Sequence, residues 1–305
     1  MIRFDSLPLS ALVATVTLTA ATLTPVAGHD VAPELAWETS GFVAPESVVF
    51  DAERQQFYVS NMGSWRADST PGDGFISRVS AEGRLLDLRW VVGLESPKGL
   101  ALANGRLYVG DDAELVEIDP ATGTITARYA PVDGPGGFND CTADPMGNVY
   151  VFSRRLATVF RLHGGQFEAW ATIDASKTGW PNGLHAEPDR LLLGSWVVSG
   201  PNGQEQLGHL STVSYADRLV GRLGDQPIGH IDGIEPDGRG GYTVTAWTKG
   251  DVVHVSAGGT PTPLMTLRQG AADHEYVIDR RLLVIPLVLD NVIRAYRWEP
   301  AGSRS

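Results

Sequence analysis

Short apolar runs alternate with turns rich in glycine, asparagine, aspartate and proline along the chain, and no segment has the period of a long amphipathic helix. Six times a turn opens onto an apolar strand with a polar side chain at the same place. These polar residues recur at intervals of 52, 41, 43, 50 and 42 residues and are Glu46, Lys98, Asn139, Asn182, Asp232 and His274. A strand-and-turn repeat of this length is typical of a β-propeller with one blade per repeat. We therefore predict an all-β fold, a six-bladed β-propeller with four-stranded antiparallel blades.

The two ends of the chain differ from the repeats. A closed ring avoids an exposed sheet edge, so we predict that an N-terminal strand over residues 35–39 completes the last blade beside residues 292–298. Arg3, an apolar run and small residues around Ala27 are typical of a secretory signal peptide. The prediction is a signal peptide over 1–28, a propeller over 29–298 and a flexible tail over 299–305. The mature protein is expected to be exported, to the periplasm or the extracellular space.

Composition narrows the class of partner. The chain has 305 residues and a net charge of −12, which argues against nucleic acid and against anionic membrane surfaces. We expect a small-molecule substrate or ligand and a monomeric protein. The single cysteine, Cys141, excludes an intramolecular disulfide and is typical of a small buried hydrophobic residue.

The recurring polar residues predict chemistry at one place, because equivalent positions in a propeller face each other around the central channel. Four of them carry side-chain oxygens: Glu46, Asn139, Asn182 and Asp232. Carboxylate and amide oxygens without sulfur suit Ca²⁺, with Mg²⁺, Mn²⁺ and Zn²⁺ as alternatives. Each residue alone is more typical of an ordinary turn than of a ligand. Four in register, one per blade, favour a divalent metal on the axis.

The same segments resemble a known family. Across about residues 37–298 the chain is similar to the senescence-marker-protein, gluconolactonase and luciferin-regenerating-enzyme family of six-bladed propellers, and more distantly to diisopropyl-fluorophosphatase and paraoxonase. The motifs that carry the resemblance include Pro45-Glu46-Ser47, Phe138-Asn139-Asp140, Pro181-Asn182-Gly183-Leu184 and Asp232-Gly233. The resemblance implies that Glu46, Asn182 and Asp232 bind the metal and that Asn139 contacts metal or substrate. It also gives Asp232 the role of base or nucleophile.

The chain departs from this family at one position. Members that act on sugar lactones usually carry an arginine two residues before the asparagine of the Asn-Asp pair, and here that position is Gly137. Four further residues are candidates for substrate contacts. Lys98 would bind a product carboxylate, Asp140 would support Asn139, Trp180 would line the pocket mouth, and His274 would be either a proton shuttle or a structural polar residue.

Several functions fit this pattern. The leading hypothesis is a metal-dependent hydrolase of a lactone or related ester, in which the metal polarises the carbonyl and activates water, with Asp232 and Asn139 as catalytic residues. The alternatives are a non-catalytic exported propeller that binds a small ligand, a phosphotriesterase-like hydrolase and a protein-interaction propeller.

Overall fold

Consecutive hairpins build the molecule, because each short apolar run pairs with the next across a tight turn. The computed structural model describes residues 32–64 and 70–301. Blades 1 to 3 contain β2 (Pro45–Asp51), β3 (Gln56–Asn61), β4 (Gly74–Ser80) and β5 (Leu85–Leu94); β6 (Pro97–Ala103), β7 (Arg106–Asp111), β8 (Glu114–Asp119) and β9 (Thr124–Tyr129); and β10 (Phe138–Ala143), β11 (Val149–Ser153), β12 (Thr158–His163) and β13 (Gln166–Thr172).

The second half continues this plan. A short helix, α1 (Ala175–Thr178), precedes blade 4. Blades 4 to 6 contain β14 (Trp180–Ala186), β15 (Arg190–Ser199), β17 (Leu210–Ser214) and β18 (Val220–Leu223), with β16 (Glu205–Leu207) added beside β15; β19 (Ile231–Pro236), β20 (Tyr242–Ala246), β21 (Asp251–Val255) and β22 (Pro261–Thr266); and β23 (Glu275–Val277), β24 (Leu282–Leu287), β25 (Val292–Arg297) and β1 (Glu34–Ser40). The prediction of a six-bladed, four-stranded antiparallel propeller is confirmed.

The ring closes where the sequence predicts. β1 pairs antiparallel with β25, with Thr39 opposite Ile293, and so completes blade 6. On the inner side, Ser47 of blade 1 forms a parallel bridge with Asp273 of blade 6. Blades 1 and 6 are therefore joined at the axis, and the N-terminal strand β1 completes blade 6 at the rim.

The ends predicted from the sequence lie partly outside the described residues. The signal peptide over 1–28 does so completely, and export stays a prediction. Of the predicted tail, Glu299 forms ion pairs with Arg239 and Arg281, and residues 302–305 lie outside the described part. Within that part, no helix is long and apolar enough to cross a membrane.

Apolar clusters fill the spaces between neighbouring blades. Between blades 3 and 4, for example, Tyr150, Trp170, Leu184 and Leu193 pack together, with the Tyr150 and Trp170 rings 5.4 Å apart. Comparable clusters occupy the other five blade interfaces. Buried polar side chains, among them Glu46, Asn139, Asn182 and Asp232, belong instead to the innermost strands.

The innermost strands of blades 1 to 5 carry the same irregularity near their start. In blade 1, Pro45 is opposite Asn61 but Val48 is opposite Val59, so one extra residue stands on the inner strand. The same one-residue shift lies near the start of β6, β10, β14 and β19, in β14 between Pro181 and Gly183. Such a bulge reorients the side chains that it contains. The residue just after the last pair before the bulge is the one that the sequence repeat selects.

Candidate functional site

Five predicted residues occupy this bulge position and converge on the axis. They each follow the last paired residue before the bulge in the inner strands of blades 1 to 5: Glu46, Lys98, Asn139, Asn182 and Asp232, together called the axial ring. All except the half-buried Lys98 are at most 7% exposed. The structure therefore brings together the four predicted oxygen-bearing residues.

Hydrogen bonds link three of them in order around the ring. Asn139 Nδ2 donates to Asn182 Oδ1 at 2.6 Å, and Asn182 Nδ2 donates to Asp232 Oδ1 at 3.0 Å. The fourth is different, because Oε2 of Glu46 is buried and has no hydrogen-bond partner in the described part of the chain. A buried carboxylate oxygen without a donor is costly unless a ligand or cation satisfies it.

The sixth predicted position is wrong in register. Ala271 pairs with Leu287 and Glu275 with Val284, so Ala272 is the residue equivalent to Glu46. His274 lies two residues further along the channel. It is 1% exposed, with Nε2 2.8 Å from Thr243 Oγ1 and with Nδ1 unpartnered among the described residues. Burial lowers the pKa of His274 to about 3, so its imidazole is neutral near pH 7.

Glycine makes the convergence possible. The residue after the ring position is glycine in blades 2, 4 and 5. A Cβ on Gly183 would stand 2.0 Å from the Asp232 carbonyl oxygen, and one on Gly233 would stand 2.6 Å from His274 Nδ1. These distances are too short for any side chain, so glycine allows neighbouring inner strands to approach. The dipeptides Asn182-Gly183 and Asp232-Gly233 therefore each combine a side-chain oxygen with the glycine that permits the close contact between neighbouring inner strands.

The carboxyl groups of the ring repel each other. Burial raises the pKa of Asp232 to about 8, with Asp273 adding to the rise and Arg154 and Asn182 opposing it. Burial likewise raises the pKa of Glu46 well above its usual range, with Asp232 and Asp273 adding and Lys98 and Arg154 opposing. The charge of Asp232 adds to the rise of the Glu46 pKa, so these two carboxyls lie near each other, as a shared cation requires.

Asp140 is a wall residue rather than a member of the ring. Its carboxylate accepts hydrogen bonds from the backbone N–H of Leu184 at 2.5 Å and of Cys141 at 2.8 Å. It therefore ties blade 3 to blade 4 directly beside Asn139 and Asn182. Burial raises its pKa well above the usual range, with Asp273 and Glu46 adding to the rise.

A second polar group lies deeper in the channel, and three of its members, His185, Glu235 and Glu275, stand three residues after the ring position of their blade. It lines a cavity of about 160 Å³, called the lower cavity, whose ionisable wall residues are Asp140, His185, Glu235, Asp273 and Glu275. Burial raises the pKa of Asp273 and of Glu275 to about 7. Asp273 interacts with groups at both levels, since it also raises the pKa of Glu46, Asp232 and Glu235.

The mouth above the ring carries aromatic residues on one side. Trp180, predicted to line it, is 43% exposed and begins β14 two residues before Asn182. The half-buried Trp196 contacts Trp247 and His230, with ring centroids 5.8 and 5.3 Å apart. His230 stands two residues before Asp232. These contacts place an aromatic surface beside blades 4 and 5.

Sequence reasoning missed two residues that bear on the ring. Asp273 bonds to Ser47 Oγ at 2.5 Å and lies just below the ring. Arg154, in the turn after β11, lies near enough to lower the pKa of both Glu46 and Asp232. Neither occupies the recurring position, so the repeat gave no signal for them.

The ring is not a cluster of the usual strong metal ligands. Within residues 32–64 and 70–301, no three histidine, cysteine or carboxylate side chains group as a metal site. The oxygen donors here are two carboxylates and two amides. Asparagine presents either oxygen or nitrogen on rotation of its amide, so Asn139 and Asn182 can turn oxygens toward a cation.

Comparison with known proteins agrees at the level of fold. No family model matches the chain, and no curated protein matches its sequence. Regucalcin from Agrobacterium tumefaciens, described as a calcium-binding protein, is 16% identical with a TM-score of 0.64, over 90% of this chain and 95% of that one. A gluconolactonase from Xanthomonas campestris is 14% identical with a TM-score of 0.63, over 92% and 99%.

A third neighbour has a different activity. Virginiamycin B lyase from Staphylococcus aureus is 9% identical with a TM-score of 0.60, over 85% of this chain and 98% of that one. At such identities the likeness shows a shared fold alone. Function must be argued from the axial site itself.

Proposed function

We propose that this protein is a divalent-metal-dependent hydrolase that opens a lactone or a related ester at the axial ring. The observation that carries the proposal is the convergence of Glu46 and Asp232 with two amide side chains, in which a buried oxygen of Glu46 has no donor among the described residues. The fold neighbours named regucalcin and gluconolactonase agree with this choice but carry less weight.

The donor set fits a hard dication. Burial raises the pKa of both Glu46 and Asp232. Neighbouring carboxylates add to the rise, Asp232 and Asp273 for Glu46 and Asp273 for Asp232, because like charges are held together away from water. A dication between them would reverse that repulsion and satisfy the unpartnered oxygen. Carboxylate and amide oxygens favour calcium, and the residues that would hold it are Glu46, Asn139, Asn182 and Asp232. When bound, the metal supplies a Lewis acid that polarises a carbonyl and lowers the pKa of water.

The side chains of the ring would divide the remaining work. Asp232 is the general base, which takes a proton on a carboxylate oxygen as water attacks. Its position is fixed by the hydrogen bond from Asn182, which also opposes the rise of its pKa. Asn139 orients the substrate carbonyl. Lys98 is half-buried beside Glu46 and binds the carboxylate that ring opening releases.

A second candidate is a binding protein that does not turn its ligand over. Gly137 favours it, because position 137 provides no side-chain donor for a substrate hydroxyl. The same ring would then hold an anionic ligand against the metal. The two candidates differ in turnover and agree in metal dependence.

The decisive experiment pairs metal analysis of the purified protein with a screen of lactones, esters and phosphotriesters, each with and without chelator. We expect bound calcium and a lactonase activity that chelator removes and Ca²⁺ restores. Metal-dependent ligand binding without turnover would support the binding protein. Absence of any bound or rebinding divalent metal would overturn both.

A matched pair of variants then tests the base. Asp232→Asn should lower kcat by at least a hundredfold, a typical loss for a general base, while calcium affinity falls much less. Asp225→Asn makes the same charge change on an exposed turn and should leave kcat unchanged. Full activity of Asp232→Asn with metal retained would refute the assigned role.

A further inference from the structure

The turn after β11 is held against the segment that leads into Asn139. The backbone N–H of Arg154 donates to the carbonyl oxygen of Gly137 at 3.0 Å, and Ser153 Oγ donates to that of Gly136. These bonds fix the start of the turn beside the axial ring. The backbone of Arg154 is therefore held beside Gly137, the residue directly before β10.

Gly137 is what allows this approach. Its φ is +60°, and a Cβ built on it would lie 2.8 Å from Cβ of Arg155. A side chain at position 137 would collide with the turn and would also be strained. Position 137 therefore has no side chain with which to bind a ligand, and the turn brings Arg154 to the same side of the mouth.

The guanidinium of Arg154 is available to a ligand. The residue is exposed, and among the described residues its guanidinium has no hydrogen-bond or ion-pair partner at contact distance. It is still near enough to the buried carboxyls of Glu46 and Asp232 to lower the pKa of both. The turn that carries Arg154 is hydrogen-bonded to Gly136 and Gly137, just before the start of β10, so this exposed cation lies at the end of the channel where β10 begins.

Charge decides which ligand suits this opening. The negative charges of Glu46 and Asp232 are matched by the positive charges of Lys98 and Arg154. A dication in the ring would offset these two carboxylates, so that Lys98 and Arg154 would no longer be balanced by the ring, while the other nearby carboxyls, Asp140 and Asp273, are buried. A neutral lactone gains nothing from that field, whereas an anionic substrate is attracted and oriented by it.

We propose that Arg154 binds a carboxylate carried by the substrate in addition to the reacting ester, so that the preferred substrates are lactones of hydroxy-dicarboxylic acids. Guanidinium groups bind carboxylates through two parallel hydrogen bonds, which fixes orientation as well as affinity. This inference rests on the proposed hydrolase function and adds the substrate class. Arg154 would be a specificity residue on the blade 3 side of the mouth.

The test compares two lactones that differ at one carbon. One is 5-oxotetrahydrofuran-2-carboxylate, and the other is γ-valerolactone, which has a methyl group in place of the carboxylate. We expect the wild type to prefer the carboxylate lactone by about 10- to 100-fold in kcat/KM, the range for a hydrogen bond to a charged group. In Arg154→Gln this ratio should fall toward one, mainly through a higher KM.

Arg155→Gln is the matched control, because it changes an exposed arginine at the next position of the same turn. It should keep the wild-type preference, and circular dichroism should show all three proteins equally folded. A preference retained in Arg154→Gln, or lost equally in Arg155→Gln, would overturn the proposal while leaving the hydrolase intact.

A binding measurement tests the carboxylate site independently of the hydrolase function. Calorimetric titration with 2-hydroxyglutarate, the product of the carboxylate lactone, needs no turnover. Binding that depends on Arg154 in a protein that hydrolyses neither lactone would support the carboxylate site and refute the hydrolase. Equal binding to wild type and Arg154→Gln would refute the carboxylate site whatever the activity.

Discussion

Replacing Glu275 by glutamine should stabilise the metal-free protein at pH 8 and have a much smaller effect at pH 5. Glu275 lines the lower cavity, and its Oε2 accepts a hydrogen bond from the backbone N–H of Phe50 at 2.9 Å. A glutamine oxygen can accept the same bond, so the substitution removes the charge and little else. Asp273 and Glu235 are the neighbouring carboxyls.

The sign follows from the direction of the shift. Burial raises the pKa of Glu275 to about 7, above its value of 4.5 in an unfolded chain. The folded protein therefore binds more protons than the unfolded one between these values, and stability falls as the pH rises from about 4.5 to about 7. Below this window the wild-type carboxyl is neutral and equivalent to glutamine. Above it, the wild type bears the full cost of the charge.

The magnitude is moderate. Each unit of pKa shift corresponds to about 1.4 kcal/mol, which sets an upper bound of a few kcal/mol. Glu275 is half-buried against a cavity, and its loss also lets neighbouring carboxyls ionise more easily. We therefore expect a gain of about 1–2 kcal/mol at pH 8, where each kcal/mol raises Tm by about 2–4 °C in a domain of this size.

The assay is urea unfolding in the presence of chelator at pH 5, 6, 7 and 8, with variant and wild type compared at each pH. The comparison cancels the buried histidines, since burial lowers the pKa of His185 to about 4 and of His274 to about 3 in both proteins. Glu205→Gln, on an exposed strand, is the control and should be neutral throughout. A destabilised Glu275→Gln at pH 8, or a difference that does not change with pH, would refute the reasoning.

Three further predictions concern the ring. Calcium should raise Tm more at pH 8 than at pH 6, measured by differential scanning calorimetry, because Glu46 and Asp232 must lose protons to bind it; an equal rise at both would contradict this. Gly183→Ala should destabilise the protein by about 3 kcal/mol in urea unfolding, because its Cβ would meet the Asp232 carbonyl at 2.0 Å, whereas Gly258→Ala, with only a 3.9 Å contact, should be tolerated. Arg154→Gln should tighten Ca²⁺ binding several-fold in calorimetry, since a cation that opposes the metal is removed, and weaker binding would count against the placement of Arg154.

The repeat was readable because one structural irregularity recurs. A bulge near the start of the inner strands of blades 1 to 5 carries one polar residue per blade to the axis, and its sequence trace is a polar residue between a turn and an apolar strand. Four of the five ring members are followed by glycine or aspartate, which mark the same bulge. Fold, closing strand and ring composition were therefore predictable from sequence.

The ring position of blade 6 could not be predicted from the sequence repeat. Its ring position is Ala272, an apolar residue with no trace in the pattern, while the polar run Asp273-His274-Glu275 follows directly. The register is fixed by strand pairing, Ala271 with Leu287 and Glu275 with Val284. A slip of two residues in a strand keeps the same side facing inward, so alternation alone cannot detect it.

Three polar residues of the lower cavity could also have been predicted from the sequence. His185, Glu235 and Glu275 each stand three residues after the ring position of their blade, so they form a second polar series in phase with the first. Arg154 had no such signal, because it belongs to a turn between blade strands and reaches the ring only through the contact with Gly137.

The two polar levels of the channel are not independent. Asp273 follows the apolar ring position of blade 6, bonds to Ser47 of blade 1, and raises the pKa of carboxyls both in the ring and in the lower cavity. Because blade 6 gives no ligand to the ring, Asp273 is the side chain through which that blade acts on it. A cation that neutralises Glu46 and Asp232 would therefore favour the charged form of Asp273, and with it raise the cost of ionising Glu235 and Glu275 below. The lower carboxyls should consequently titrate at higher pH with metal bound in the ring than without it.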